Sequence, residues 1–167
     1  RYGNVLGSRG SVIGIWRGQV ARGEPLTLTN CGMTRFVMTV EQAVALVNYA
    51  LEAMRGGEVF VPQLRSTEMI RLARAIAPTD TYPIRETQVR PGGEKLAEAL
   101  LNEEEPSRTL SRNGVYIVTP THHAWTRDGW EGVPVAPGLV YRSDRPNQEY
   151  LDVAELRELI ANTEACR

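Results

Sequence analysis

The segment TVEQAVALVNYALEAM, at residues 39–54, constrains the fold of this chain more than any other stretch. Thr39 and Gln42 have the spacing of a capping box, in which each side chain accepts a backbone N–H at the start of a helix. Four apolar side chains then recur at helical spacing and predict one apolar face: Val40, Val44, Val47 and Leu51. A glycine pair ends this helix, and the apolar strand EVFVP follows at residues 58–62. A helix that leads directly into a buried strand is typical of α/β folds.

Apolar spacing and turn residues predict further strands and helices on both sides of this pair. Strands are expected at 2–6, 24–30 and 82–90, helices at 11–22, 66–78, 94–101 and 151–161, and a hairpin at 107–120. The first of these helices is predicted to pack through Val12, Ile15, Trp16, Gln19 and Val20. The hairpin turns at Asn113-Gly114, a dipeptide that suits a tight two-residue turn. No linker divides the chain, so the sequence predicts one α/β unit.

Composition and charge limit the function classes. The chain has 167 residues, of which 42% are hydrophobic and 23% are charged, enough for one globular domain with a core. The formal net charge is −1, so there is no general basic field and nucleic acid is not an expected partner. No apolar run reaches the roughly 18 residues of a membrane span, so no membrane segment is predicted in this chain. Cys31 and Cys166 lie far apart and lack metal-ligand spacing, which favours a reduced, cytoplasmic protein.

Three glycines near the beginning of the sequence raise the question of a dinucleotide-binding turn: Gly7, Gly10 and Gly14. Such a turn requires a strand, glycines, the start of a helix, and an acidic residue that ends the second strand and holds a ribose. The first three features are present, but the second predicted strand ends in Asn30 and the glycine spacing differs from common forms. The residues alone leave two interpretations open: a nucleotide-binding turn, or an ordinary glycine-rich turn between a strand and a helix.

Three segments occur in the order and spacing of a known enzyme family: RYGNVLGSRGSVI at 1–13, PLTLTNCGMTRFVMTVEQAVALVNYALEAMRGGEVFVP at 25–62, and VRPGGEKLAEALLNEEE at 89–105. They resemble the second half of the extended short-chain dehydrogenase/reductases that modify nucleotide sugars. More narrowly, the chain resembles the polysaccharide-biosynthesis branch, the UDP-N-acetylglucosamine 4,6-dehydratases, some of which also invert C5. The tail VYRSDRPNQEYLDVAELRELI, at 140–160, resembles the C-terminal extension of this branch.

The resemblance implies the C-terminal portion of a Rossmann-type fold, with the last sheet strands and the smaller substrate-binding domain. Residues 1–167 would form the nucleotide-sugar-binding portion. Within it, 1–6 and 58–62 would be strands of the cofactor-binding sheet, and 107–167 the C-terminal extension of the same unit. In the family, the glycine fingerprint and the Tyr-x-x-x-Lys pair precede the RYGN strand, so the glycines of this chain are expected to form an ordinary turn.

By the same resemblance, the complete protein binds a UDP-sugar, uses NADP or NAD held mainly by its preceding half, and is expected to be a homo-oligomer. It would oxidise C4 of UDP-N-acetylglucosamine, eliminate water across C5 and C6, and return the hydride to C6. The family's catalytic residues are not among these 167, so this chain alone is expected to be inactive. Two alternatives remain open: part of a UDP-sugar 4-epimerase, which shares the same binding half, and a nucleotide-sugar-binding module without catalysis.

Four residues are candidate contacts to the nucleotide sugar, and one is a candidate contact to the cofactor. Asn4 ends the first strand and can donate an amide hydrogen to a phosphate or sugar oxygen. Arg35 and Arg90 offer the paired donors that suit a diphosphate, and the resemblance implies that role for both. By resemblance, Glu94 accepts hydrogen bonds from ribose hydroxyls, and Tyr2 lies beside the nicotinamide.

Three further features bear on the expected site. The family usually reads R-P-G-E-K where this chain reads R-P-G-G-E-K, so the additional Gly93 affects the placement of Glu94. The strand PLTLT, at 25–29, is expected by resemblance to offer backbone groups to the uracil. His122 and His123 are adjacent and point in different directions, so no metal site is predicted from them.

Overall fold

The computed structural model describes residues 1–87, 94–121, 130–145 and 148–165. Strands and helices alternate along most of the chain, which confirms the predicted α/β class. In chain order the elements are β1 (Asn4–Val5), α1 (Val12–Ala21), β2 (Leu26–Leu28), β3 (Thr34–Met38), α2 (Val40–Ala53), β4 (Val59–Pro62), β5 (Ser66–Glu68), α3 (Met69–Ile76), β6 (Ile84–Glu86), a 3-10 turn (Glu105–Arg108), β7 (Thr109–Arg112), β8 (Val115–Val118), β9 (Val133–Pro134) and α4 (Val153–Ala165).

In the described ranges, the strands form three small sheets. β1 and β3 run parallel, with Asn4 opposite Val37, and β5 pairs with β3 in the antiparallel direction. β2 and β6 form a second parallel pair, with Leu26 opposite Ile84. β4, β8, β7 and β9 form an antiparallel sheet in that order. The parallel pairs bear on function because the ligands of open α/β sheets bind beyond the carboxyl ends of such strands.

The start and end of α2 are confirmed as the sequence predicts them. The Thr39 hydroxyl accepts a hydrogen bond from the Gln42 backbone N–H at 3.2 Å, and the Gln42 side-chain oxygen accepts one from the Thr39 N–H at 2.8 Å. After the helix, Gly56 and Gly57 adopt φ angles of 117° and 80°, which residues with a side chain rarely adopt. The local sequence therefore determines both ends of this helix.

The apolar face predicted for α2 is not the face that packs in the described structure. Leu46 is buried and packs near Phe60 of β4. Three neighbours of Leu46 complete this packed side: Tyr49, Ala50 and Ala53. The side chains of the predicted face are between 42% and 65% exposed: Val40, Val44, Val47 and Leu51. Helical spacing identifies an apolar face but not the element that covers it, so the sequence predicted the helix and missed its packed side.

The structure differs from the predicted elements in three places, because backbone groups bond to partners that are remote in sequence. The structure has a strand, β3, where no strand was predicted. Arg35 therefore lies on a strand. The helix expected at 66–78 begins only at Met69, because the three residues before it pair with β3 as β5. The helix expected at 94–101 does not form. There, the Leu100 N–H donates to the Tyr141 carbonyl at 3.1 Å, and nearby backbone groups also bond to the C-terminal part of the chain.

The C-terminal segments 141–145 and 148–151 complete this part of the fold. The Ser66 N–H donates to the Glu149 carbonyl at 2.9 Å, and the Leu151 N–H donates to the Ser66 carbonyl at 2.8 Å. Each segment therefore supplies backbone partners to residues far earlier in the chain. The two hydrogen bonds at Ser66 pair both of its backbone groups at the edge of β5.

The largest cluster of buried side chains lies between α1, α3 and α4. Trp16 is completely buried in it, and Ile13 and Gln19 are the other buried residues of α1. Ile15, predicted on the packed face, is instead 45% exposed because it faces an open cavity. Within the described ranges, no helix has the length and apolar character that a membrane crossing requires.

Candidate functional site

A cavity of about 440 Å³ opens beyond the carboxyl ends of β1 and β2, each of which belongs to a different parallel pair. We call it the β1–β2 cavity; the loop before α1, the first half of α1, and residues of β3 and α3 complete its lining. Its polar lining includes Asn4, Arg35 and Glu94, whereas Trp16 and Leu28 are among its apolar residues. A volume of this size and a mixed lining are typical of small-molecule sites.

Two side chains of α1 hold the middle of β2. The Trp16 indole N–H donates to the Thr27 carbonyl at 2.6 Å. The Gln19 side-chain oxygen accepts the Thr27 N–H at 3.1 Å, and its nitrogen donates to the Thr27 hydroxyl at 2.8 Å. Both backbone groups of Thr27 are therefore engaged within the protein. The Leu28 carbonyl is likewise engaged, because it accepts the Thr87 N–H at 2.8 Å. Thr29, the last residue of PLTLT, also lines the cavity.

Arg35 lies on β3 with its guanidinium against the cavity wall, and its side chain is only 13% exposed. Its Nη1 donates to the Thr34 carbonyl at 2.7 Å and to the Leu96 carbonyl at 3.2 Å. Its Nη2 lies 3.7 Å from the Met33 sulfur. Contacts within the protein thus hold much of the guanidinium in place.

Glu98 connects Arg35 with Asn4. Its Oε1 lies 3.7 Å from Arg35 Nε. The Asn4 amide is assigned with its nitrogen toward this carboxylate, because the opposite orientation would place an amide oxygen against carboxylate oxygens. In that orientation the nitrogen donates to Oε1 at 3.0 Å and to Oε2 at 3.2 Å. Burial raises the pKa of the Glu98 carboxyl, and the charges of Arg35 and Lys95 and the Phe36 N–H oppose that shift. The Glu98 carboxylate therefore lies beside two donors that line the cavity.

The backbone of Glu98 is fixed by the C-terminal segment 141–145. The Glu98 N–H donates to the Ser143 hydroxyl at 2.9 Å, and the Ser143 N–H donates to the Glu98 carbonyl at 2.9 Å. The Ser143 hydroxyl also shares a 2.8 Å hydrogen bond with the hydroxyl of Thr34, the residue before Arg35. The sequence does not single out Glu98, because its position depends on this remote contact. The E-K-L-A-E run at 94–98 signals no more than a charged segment.

The structure brings together three of the five predicted site residues. Asn4, Arg35 and Glu94 line the β1–β2 cavity. Tyr2 is 49% exposed and is not among the residues that line it. Arg90 lies outside the described residues, as do Gly93 and the histidine pair 122–123.

Comparisons with known proteins show what this chain is similar to. A family model described as "Polysaccharide biosynthesis protein" matches residues 1–120. The chain is 34% identical to a UDP-N-acetylglucosamine 4,6-dehydratase (inverting) of Campylobacter jejuni, with 98% of this chain and 51% of that protein covered. It is 38% identical to a UDP-glucose 4-epimerase of Rickettsia akari, with 71% of this chain and 35% of that protein covered.

A solved structure is also similar over nearly the whole chain. The X-ray structure of Pen from Bacillus thuringiensis matches with a TM-score of 0.83 and 30% sequence identity. The match covers 98% of this chain and 49% of that chain. The 167 residues therefore span about half the length of the C. jejuni relative and of the solved structure.

Proposed function

The chain belongs to the polysaccharide biosynthesis protein family, and we propose that it is the nucleotide-sugar-binding part of an enzyme that acts on a UDP-sugar. Its α/β fold fits a Rossmann-like domain of the short-chain dehydrogenase/reductase type. The observation that carries the proposal is the β1–β2 cavity, where Asn4, Arg35 and Glu94 lie in one lining. Guanidinium and amide donors suit a diphosphate, and a carboxylate suits ribose hydroxyls.

The lining offers separate places for the charged and uncharged parts of such a ligand. Among the residues that line the cavity in the described part of the chain, Arg35 is the one cation, so the diphosphate would lie beside it. Arg90 is proposed as the second phosphate contact. Apolar residues such as Ile15 and Leu28 would contact the less polar faces of the nucleoside or sugar.

The finer proposal is a UDP-N-acetylglucosamine 4,6-dehydratase. It is supported by the C. jejuni relative, whose likeness covers nearly all of this chain. A UDP-sugar 4-epimerase is the second candidate, supported by the R. akari relative over 71% of the chain. Both reactions require the UDP group to be bound in the same way, so the binding residues of this chain are compatible with either reaction. A binding module without catalysis is the alternative outside the enzyme class.

We expect the complete enzyme to use NADP or NAD. Most of the contacts to this cofactor would come from the part of the enzyme that is not in this chain. Gly7 and Gly10 form a turn with φ angles of 70° and 76°, but Thr29 and Asn30 follow β2 where a ribose-binding carboxylate would be needed. The remaining half of the relatives' length would therefore bind the dinucleotide, with the exposed Tyr2 as this chain's candidate contact. When bound, the cofactor supplies the hydride acceptor, and this chain binds and orients the nucleotide sugar.

The division of the chain follows from the same proposal. Residues 1–6 and 58–62 would contribute strands to the cofactor-binding sheet, and 107–167 would form a C-terminal extension of the binding unit. The complete protein would be a homo-oligomer in the cytoplasm that supplies precursors for polysaccharide synthesis.

Calorimetric titration of the 167-residue chain with UDP and UDP-N-acetylglucosamine tests the binding role. Arg35→Ala should weaken binding about ten- to a hundredfold, because a charge-assisted hydrogen bond contributes about 1.5–3 kcal/mol. Arg22→Ala is the matched control, since Arg22 pairs with Glu24 and is not among the residues that line the cavity. Absence of binding to the unmodified chain, or equal losses in the two variants, would contradict the proposal.

An activity assay tests the proposed division of labour. With UDP-N-acetylglucosamine and added NADP, the isolated chain should yield no 4-keto sugar, because the family's catalytic residues are not in its sequence. Measurable product from the pure chain would show that the catalytic groups lie within these 167 residues.

A further inference from the structure

We propose that Glu98 is a positioning residue of the nucleotide-sugar site, whose carboxylate holds the Asn4 amide and the Arg35 guanidinium in the orientation in which both donate to the ligand. This inference rests on the proposed function of the β1–β2 cavity. It adds a residue that does not itself line the cavity in the described structure and that acts through two residues that do.

The hydrogen-bonding capacity of the two donors supports this role. The Asn4 amide nitrogen carries two hydrogens, so one can be shared by the two Glu98 oxygens while the other is directed to a ligand oxygen. The Arg35 guanidinium carries five N–H donors. The Thr34 and Leu96 carbonyls engage Nη1, and Glu98 faces Nε. Nη2, whose neighbour is the weak acceptor sulfur of Met33, remains the best donor for an anion.

The position of Glu98 is imposed by the fold and not by the donors that it orients. Hydrogen bonds with Ser143 fix its backbone on both sides, and Ser143 is itself completely buried. The same Ser143 hydroxyl contacts Thr34, beside Arg35. The backbone of Glu98 and the strand that carries Arg35 are therefore held by one buried residue, which sets where the Glu98 side chain starts relative to Arg35.

The sign of the charge leads to a specific expectation. A diphosphate bound by Asn4 and Arg35 would lie near the negative charge of the Glu98 carboxylate, and this repulsion weakens binding. The orientation that Glu98 imposes on the two donors strengthens binding. Glu98→Gln removes the charge and keeps an oxygen acceptor of the same size. Glu98→Ala removes both. If Glu98 acts by positioning, the Gln variant should bind much more like the unmodified chain than the Ala variant does.

Calorimetry with UDP-N-acetylglucosamine separates these outcomes. We expect Glu98→Ala to bind about tenfold more weakly, comparable to the loss of one hydrogen bond to a charged group. Glu98→Gln should retain most of the affinity, and the exposed Glu103→Ala, which removes a carboxylate from the same segment, should leave it unchanged. Unchanged affinity in Glu98→Ala, or an equal loss in the Gln and Ala variants, would overturn the proposal.

A measurement without ligand keeps this test independent of the proposed function. In nitrogen-15 NMR spectra, the Arg35 Nε–H should exchange slowly with water in the unmodified chain and in Glu98→Gln, and faster in Glu98→Ala. If the chain binds no UDP-sugar but this pattern holds, the proposed function fails and the positioning by Glu98 stands. Equal exchange rates in all three proteins would refute the positioning role itself.

Discussion

Replacement of Tyr141 by phenylalanine tests how the C-terminal segment 141–145 is attached to the rest of the fold. The Tyr141 hydroxyl accepts the Leu64 N–H at 2.6 Å and donates to the Pro62 carbonyl at 3.0 Å, and the side chain is 6% exposed. Its ring packs against Phe36 and Tyr116, with centroids 4.7 Å and 5.0 Å away. Tyr141→Phe keeps this ring packing and removes only the hydroxyl.

The expected cost follows from the groups that lose a partner. A buried N–H left without an acceptor costs about 1–3 kcal/mol, and the Pro62 carbonyl loses its donor as well, so we expect a loss of about 1.5–3 kcal/mol in the free energy of unfolding. For a chain of this length, that corresponds to a decrease of about 3–10 °C in Tm. Urea denaturation followed by tryptophan fluorescence gives the free energy, and calorimetry gives the Tm.

Tyr82→Phe is the control, because the Tyr82 hydroxyl donates a single hydrogen bond, to the Glu24 carbonyl at 2.9 Å, in an exposed position. Its loss should cost less than about 1 kcal/mol. A second readout uses the titration of the phenol, since burial raises the pKa of Tyr141 to about 12. This group should therefore still be un-ionised at pH 11, where exposed tyrosines ionise. Equal destabilisation by the two substitutions would refute the reasoning.

Two other predictions concern stability. The hydrogen bond from Arg1 lowers the pKa of the buried Glu105 below its ordinary value of 4.5, so this carboxylate stabilises the fold at neutral pH and loses that contribution as the pH falls below about 4.5. Glu105→Gln should cost about 2 kcal/mol at pH 7 and reduce the loss of stability between pH 5 and 3 in urea titrations; an unchanged pH dependence would contradict this. On α2, Leu46→Ala should cost about 2–4 kcal/mol and Leu51→Ala less than about 0.5 kcal/mol, because Leu46 is 7% exposed and Leu51 is 65% exposed. Similar losses in the two variants would show that the exposed face of α2 is covered in solution.

The parts of the fold that the sequence predicted are those that local interactions determine. α2 has its capping box within four residues, and the hairpin turns at Asn113 and Gly114, whose φ angles of 50° and 75° suit that dipeptide. β3 was missed because its partners are β1 and β5, and neither is adjacent to it in sequence. The expected helix at 94–101 failed for the same reason, since its backbone groups pair with the segment 141–145.

The candidate site divides in a similar way. Asn4, Arg35 and Glu94 were predicted because they lie within recognisable sequence motifs. The structure places them in one cavity lining. Their roles as ligand contacts stay predictions. The contacts of Gln19 with Thr27 and of Glu98 with Asn4 could not be predicted from the sequence, because each is made only when the chain folds.

The attachment of the C-terminal segments has a consequence for protein engineering. The match to the family model ends at residue 120. The backbone groups of Ser66, Glu98 and Leu100 nevertheless form hydrogen bonds with residues beyond that point. A chimera joined at residue 120 would transplant the recognisable motifs without the hydrogen-bond partners that hold them, and buried backbone groups without partners are costly. The smallest transferable unit therefore extends at least to Leu151, whose N–H bonds to the Ser66 carbonyl.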